Sequence, residues 1–464
     1  MAQRTCGLRT SREEARQRAL PSRPWQHEAV ADQRASRNRR RLTATVTDLA
    51  VRRQRALLVA LVADGRSATE AEHSLDELER LAATAGSDAV ARETQVRGRP
   101  DPGTYIGRGK AAELAALGRQ LDVDVVVVDG ELTPVQQRNL QEVFGCDVVD
   151  RVAVILDIFA QHATSKEGMA QVELALHRHR LPRLRGRGLQ LSQQAGRIGT
   201  RGPGETQLES DRRRVLRRIS VLQEQIEALR VDRGTRRKAR RRSGLPTAAL
   251  VGYTNAGKSS LLNRLTGAGV LVEDRLFSTL DATVRRLALP SGRLLLLSDT
   301  VGFVRRLPHE LVEAFRSTLE EAVETDLLVH VVDATAPDPD GQIEAVHTTL
   351  AEVGGTGHEE ILVINKVDAA PAPIVARLLA LHPEAVGVSA VTGEGIDALL
   401  AALDERIARG TLSLDLLIPH GRGDLVAALH RVAEVLTQDH EAEGVRLAAR
   451  LPAAEAAPFL AYTV

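Results

Sequence analysis

Two periodicities alternate along this chain. Residues 56–62 (Ala-Leu-Leu-Val-Ala-Leu-Val) are continuously apolar, as a strand covered on both faces must be. Across 68–85 the apolar residues Leu75, Leu78 and Leu81 fall on one stripe, the spacing of an amphipathic helix. Residues 89–96 predict a strand, 110–120 a helix, and 123–129, with its run of Val, the clearest strand of this half. Thr133-Pro134 predicts a helix start, because a Thr hydroxyl can cap orphan N–H groups and Pro in the first turn loses no hydrogen bond. Helical patterns resume over 151–162 and 169–180. This alternation predicts an N-terminal α/β domain with a largely parallel sheet over 51–165.

The pattern then changes. Between 186 and 204, Gly186, Gly188, Gly196, Gly199, Gly202 and Gly204 are interleaved with Arg187, Arg197 and Arg201, next to Arg185. From about 205 to 230, and on towards 242, Leu208, Val215, Ile219, Leu222, Ile226 and Leu229 recur at three and four, a narrow seam like that of a two-helix coiled coil. A helical hairpin over 166–242 with a glycine-rich basic tip is expected, closed by the linker Ser243-Gly244-Leu245-Pro246. Over 247–410 the apolar runs 294–298, 327–333, 361–365 and 385–389 alternate with helical patterns at 311–323 and 343–350, which predicts a doubly wound sheet. Residues 411–464 predict a small α+β domain: a strand, a helix over 425–437 and a final strand-like piece. Residues 1–50, Arg-rich and without sustained periodicity, are expected to be a disordered basic extension.

A length of 464 residues exceeds one compact core, in keeping with several domains. No run of eighteen apolar residues occurs and Arg interrupts the N-terminus, so neither a membrane span nor a signal peptide is expected. Cys6 and Cys146 are too few and too far apart for a disulfide framework or a metal motif, which suits free thiols in a reducing cytoplasm. The net charge of +1 hides an asymmetry. Residues 1–55 hold 14 basic and 5 acidic side chains, residues 176–245 hold 20 and 6, and the rest is left with 28 and 50. Two basic segments on an acidic protein point to a polyanionic partner, or to solvated charge on a helix surface and a tail; glycines beside the charge favour the partner over 176–245.

The chemistry lies between 252 and 391. Gly252-Tyr253-Thr254-Asn255-Ala256-Gly257-Lys258-Ser259 follows an apolar strand, 248–251, and opens a helix, the context of a phosphate loop. Its N–H groups can cradle phosphate at a helix N-terminus, with Lys258 on the β- and γ-oxygens and the Ser259 hydroxyl on Mg2+. Phe277-Ser278-Thr279-Leu280-Asp281 is a candidate first switch, in which Thr279 is the expected second Mg2+ ligand, with Ser278 or Thr283 as alternatives. Asp299-Thr300-Val301-Gly302 is a candidate second switch: Asp299 can hold Mg2+ through water and Gly302 can offer its N–H to a γ-phosphate. In Asn365-Lys366-Val367-Asp368 the carboxylate can accept two hydrogen bonds from guanine, which adenine cannot supply. Asn365 ties the base to the loop, the Lys366 stem lies along the ring, and Ser389-Ala390-Val391 closes over it. Among 62 basic residues only five are lysines (Lys110, Lys166, Lys238, Lys258 and Lys366), and two of these fall in the nucleotide motifs. The set predicts GTP hydrolysis with Lys258, Asn255, Thr279 and Gly302 as the catalytic group.

Two positions depart from the common plan. Phe303 stands where many GTPases place a Gln that orients the attacking water, so slow unassisted hydrolysis is expected. The Asn255 amide can help to hold a monovalent cation such as K+ beside the phosphates, or make a local backbone bond.

Three further runs carry a family likeness. They are Asp101-Pro102-Gly103-Thr104-Tyr105-Ile106-Gly107-Arg108-Gly109-Lys110, Phe159-Ala160-Gln161-His162-Ala163, and Gly199-Thr200-Arg201-Gly202-Pro203-Gly204-Glu205-Thr206-Gln207-Leu208-Glu209. With them the chain resembles the HflX family of ribosome-associated GTPases over about 45–464. The resemblance implies a cytoplasmic GTPase that binds GTP/GDP and the large (50S) ribosomal subunit, its hairpin reaching towards rRNA. It also implies the separation of stalled ribosomes into subunits; a GTP-gated assembly factor of that subunit is the alternative. No DNA partner, no stable membrane insertion and a monomer are expected.

Overall fold

The computed structural model describes residues 45–47, 50–65, 67–186, 203–241, 245–267, 276–277, 283–305, 319–320, 322–355, 357–409, 411–452 and 455–464. Most of the basic extension, most of the glycine-rich tip, the first-switch residues Ser278, Thr279, Leu280 and Asp281, and most of the expected 311–323 helix lie outside them. The described residues belong to one compact unit, Leu42–Val464.

A short antiparallel pair, β1 (Thr45–Thr47) and β2 (Ala50–Arg52), precedes the first domain. Four parallel strands build that domain: β3 (Gln54–Val62), β4 (Ser87–Val96), β5 (Val125–Val128) and β6 (Asp147–Asp150), in the order β4-β3-β5-β6. Helices cover both faces: α1 (Ala68–Thr84), α2 (Arg108–Gln120), α3 (Pro134–Phe144) and α4 (Arg151–His162). Local sequence sets the starts. Ser67 and Glu70 form a reciprocal capping box on α1, and Thr133 and Gln136 form one on α3, with Pro134 in the first turn.

After α5 (Lys166–Arg180) and the tip, α6 runs 39 residues from Pro203 to Arg241. The seam closes where Leu222, 1% exposed, packs on Ala170 and Leu174, flanked by Ile219 and Ile226. Arg218 grips Glu173 across it with two bonds of 2.7 and 2.6 Å.

The second α/β domain has a six-stranded sheet. β7 (Thr247–Gly252), β9 (Leu294–Asp299), β10 (Leu327–Asp333), β11 (Glu360–Asn365) and β12 (Val386–Gly387) are parallel, and β8 (Thr283–Ala288) joins β9 antiparallel at the edge. The order is β12-β11-β10-β7-β9-β8. Its helices are α7 (Lys258–Thr266), α8 (Pro339–Glu352), α9 (Ala372–Leu381) and α10 (Ile396–Arg409). Strand β8 was not expected from its sequence: Arg285 and Arg286 interrupt the apolar pattern because an edge strand keeps part of its surface in water. The C-terminal domain pairs β13 (Thr411–Ile418), β15 (Val445–Pro452) and β14 (Glu434–His440) around α11 (Gly423–Val432). The helix expected over 425–437 therefore stops early. Ala433 is extended (φ −122°, ψ 151°), and residues 434–440 gain ladder bonds to β15 instead of further turns.

Candidate functional site

The phosphate loop occupies the turn from central strand β7 into α7. Asn255 (φ +60°) and Gly257 (φ +92°) adopt left-handed conformations that coil the loop. A Cβ on Gly257 would stand 2.2 Å from Asn365 Nδ2, so only glycine fits there. The Lys258 side chain is buried, and its ammonium donates to the carbonyls of Gly252 (3.0 Å) and Tyr253 (2.8 Å). Burial outweighs the attraction of Asp299 and lowers its pKa to about 8. Among the described residues the buried Thr254 hydroxyl has no hydrogen-bond partner.

The segment after β9 is clamped to this loop. The Phe303 N–H donates to Gly252 O (3.1 Å), and the Thr254 N–H donates to Phe303 O (2.7 Å). A Cβ on Gly302 would lie 2.7 Å from Thr254 Cγ2 and 3.2 Å from Lys258 Nζ, so the close approach requires glycine. Asp299 is fully buried; its Oδ2 accepts from the Ser259 hydroxyl at 2.7 Å and its Oδ1 from the Thr300 N–H at 3.0 Å. The Thr300 hydroxyl donates to Leu250 O and fixes the end of β9 against β7.

Asn365, at the end of β11, joins two loops: its Nδ2 donates to Ala256 O (2.8 Å) and its Oδ1 accepts from the Ala390 N–H (3.1 Å). Lys366 adopts φ +64° and pairs with Asp333 at 2.7 Å. Asp368 and Val391 are exposed while Ser389 is buried, its hydroxyl accepting from the Thr392 N–H (3.0 Å). One end of the parallel sheet thus collects the phosphate loop, Asp299 to Gly302, Asn365 to Asp368 and Ser389 to Val391. Ser278, Thr279, Leu280 and Asp281 lie outside the described residues; Phe277 (φ +60°) is buried, its ring 4.5 Å from that of Phe159 in an edge-to-face contact at 70°.

A further set of residues escaped the sequence reading. The Tyr253 hydroxyl donates to Glu77 Oε2 of α1 at 2.5 Å and accepts from the Arg305 N–H at 2.5 Å. Glu77 also pairs with Arg151 at the start of α4, and Arg151 holds Asp129 at 2.9 Å. All four side chains are buried. Burial, reinforced by the Glu77 charge, pushes the Tyr253 hydroxyl well above its ordinary range, so it stays protonated as a donor. The one signal in the sequence was Glu77 itself, an acidic residue on the flank of the α1 apolar stripe.

Four family profiles match the chain in series. They are described as GTP-binding GTPase N-terminal (residues 72–160), GTP-binding GTPase middle region (162–240), 50S ribosome-binding GTPase (247–366) and HflX C-terminal domain (375–459). The GTPase HflX of Caldanaerobacter subterraneus subsp. tengcongensis is 44% identical over 408 residues, 87% of this chain and 92% of that protein. The chain belongs to the HflX family of GTPases. The Escherichia coli GTPase HflX is 42% identical over 381 residues, 82% of this chain and 89% of its own length. A solved GTP-binding protein from Sulfolobus solfataricus, in complex with GDP, is 23% identical, covers 76% of this chain and 99% of its own, and has a TM-score of 0.40. As a member of this family the chain is a GTPase, with the P-loop domain as its nucleotide-binding unit. No helix among the described residues is long and apolar enough to cross a membrane.

Proposed function

We propose that this GTPase binds the large ribosomal subunit through its basic hairpin and, in the GTP form, separates stalled ribosomes into subunits. The reading rests most on one observation. The ligand-facing segments of the guanine site are gathered at one end of the parallel sheet, while a 39-residue helix packed on α5 leads out of the same chain with an excess of Arg. An Arg-rich helical arm suits the phosphate-dense surface of folded RNA. The hairpin tip, residues 186–204, is the segment proposed to touch rRNA.

Within the site, Lys258 and the N–H groups of residues 254–259 are assigned to the β- and γ-phosphates, Asp368 to the guanine edge, Lys366 to the ring face and Ser389-Ala390-Val391 to its closure. Thr279 and the Gly302 N–H are assigned to sensing the γ-phosphate. The donors beside the loop, Ser259 Oγ and Asp299 Oδ2, are hard oxygens 2.7 Å apart, which fits Mg2+. Ser259 and Thr279 would hold the ion directly and Asp299 through water. When bound, the ion supplies neutralisation of phosphate charge. The unpartnered Thr254 hydroxyl supports a ligand whose oxygens complete the loop. The Asn255 amide is assigned to a K+ ion beside the phosphates, a substitute for an arginine finger.

Phe303 is 1% exposed and faces the core, so it presents nothing to an attacking water. Hydrolysis is therefore slow in the free protein and rises when the ribosome supplies the missing group. The test is a sucrose gradient of intact ribosomes mixed with the protein and a non-hydrolysable GTP analogue. Loss of intact particles is expected. Stable binding to the large subunit without such loss would replace splitting by a GTP-gated assembly role, and no binding would end both readings.

A further inference from the structure

On the same domain, beside the strand that leads into the phosphate loop (His330 pairs in register with Val251), three side chains from three elements converge. His330 lies on β10, His347 on α8 and Glu360 on β11. One donor atom of each lies within 4.8 Å of the others. His330 Nδ1 is 2.7 Å from Glu360 Oε1, and His347 Nε2 is 3.0 Å from Glu360 Oε2. The two imidazoles meet edge to face with centroids 5.3 Å apart. His330 is 1% exposed, whereas His347 is 49% exposed, so the cluster is closed on the sheet side and open to water on the helix side.

We propose that His330, His347 and Glu360 form a binding site for a borderline divalent transition-metal ion, zinc above all. Two imidazole nitrogens with one carboxylate oxygen are a ligand set that zinc takes; Mg2+ and Ca2+ accept the carboxylate but not the imidazole nitrogens. Tetrahedral ligands around zinc lie about 3.3 Å from one another, given bonds of about 2.0–2.2 Å. From 2.7 and 3.0 Å the two close contacts would open by about 0.6 and 0.3 Å, and donor atoms as far as 4.8 Å apart would draw together, an adjustment that falls mostly to the half-exposed His347 side chain. Three protein ligands leave the fourth position to water on the open side.

Two of the three protonation states favour metal; the third, His347, has its pKa raised by the bond to Glu360 and gives up a proton when metal binds. Burial, the largest effect on His330, lowers its pKa and keeps the ring neutral, the form that coordinates metal. Burial acts to raise the Glu360 pKa, but its bonds to His330 and His347 outweigh this and hold it at about 2, so a charged carboxylate is always present. Bound metal would tie α8 to the two strands beneath it. The other end of α8 carries Asp338, which pairs with Arg305 just after the second switch. None of these three residues belongs to the GTP motifs, and the site stands whether or not the ribosomal reading does.

The test uses the full chain, treated with a chelator and then saturated with Mg2+ and GDP so that the nucleotide site is filled. Zinc is titrated against a chromophoric competitor. One equivalent per chain is expected, weakened by more than about tenfold in His347→Ala and in Glu360→Gln, a loss typical even of outer-shell partners. GDP affinity should stay unchanged in both variants. Cobalt in place of zinc should give the intense visible absorption of a four-coordinate ion, lost in His347→Ala. No stoichiometric zinc on the wild-type chain, or equal affinity in wild type and both variants, overturns the site.

Discussion

Tyr253 in the phosphate loop and Glu77 in the N-terminal domain are 176 residues apart in sequence and share a buried 2.5 Å hydrogen bond. The Tyr253 hydroxyl also receives the Arg305 N–H, so one oxygen joins the phosphate loop, the segment after Gly302 and α1. A buried bond to a charged partner contributes about 1.5–3 kcal/mol, and losing it leaves both partners short. Tyr253→Phe should therefore lower the stability of the chain by about 2 kcal/mol. Urea denaturation of both proteins measures it, and an unchanged midpoint would show that the contact carries nothing.

Glu77→Gln should cost more. Arg151 is buried and shared between Glu77 and Asp129, and the substitution leaves its charge half compensated. Breaking a buried pair costs about 3–5 kcal/mol; with Asp129 still in place the low end is expected, about 3 kcal/mol. The same denaturation series should rank Glu77→Gln below Tyr253→Phe, and the reverse order refutes the account of the Arg151 pair.

Much of this architecture can be read in the sequence, for a physical reason. Fully buried parallel strands are almost continuously apolar, which makes Val125–Val128 visible and Leu327–Asp333 too, in spite of His330 within it, and Thr133-Pro134 states its own helix start. Edge strands are harder: β8 carries arginines, and β14 gains its ladder only from a partner that no local rule reveals. The phosphate loop is legible because backbone conformation and a helix dipole dictate its glycines and its lysine. Long-range pairs such as Tyr253 with Glu77 depend on how two domains dock, and a single sequence carries no record of that.

The lysine of the loop gives a pH dependence. In the nucleotide-free chain Lys258 has a pKa of about 8, below its ordinary 10.5, because burial disfavours its charge. A phosphate needs the protonated form, so GDP affinity should be flat below pH 8 and fall as the pH rises above it, approaching about tenfold per unit. The sign for stability is opposite. Between about 8 and 10.5 the unfolded chain holds more protons at this site, so its contribution to the stability of the nucleotide-free chain rises with pH. Fluorescent-GDP titrations from pH 7 to 9.5 check the first statement, with Lys258→Ala, expected to abolish binding, as the reference. A flat profile across that range contradicts it.

Phe303→Gln tests whether the position can be returned to the common GTPase plan. The ring is 1% exposed among Tyr253, Val301, Val304 and Phe277. A buried Gln would lose that packing and add an unsatisfied amide, a cost of several kcal/mol, about that of a large-to-small core change. We expect a lower melting temperature and no gain in GTP hydrolysis by the free protein. A faster rate at unchanged stability would mean that the side chain at 303 can turn toward the phosphates.

The hairpin is testable apart from the nucleotide site. Leu222 is the best-buried apolar contact between α5 and α6, while most of α6 around it is exposed and charged. A long exposed helix of such polar character owes its position to the seam rather than to a broad apolar face. Leu222→Glu puts a charge against Ala170 and Leu174, close to Glu173, and should part the two helices without reaching the sheet that carries the GTP motifs. GDP affinity should then match that of the wild type, while binding to the large subunit and any ribosomal stimulation of hydrolysis should fall together. If stimulation survives with the hairpin unzipped, as measured by proteolysis within α6, the arm is not the element that senses the ribosome, and the contact must be sought on the nucleotide domain itself.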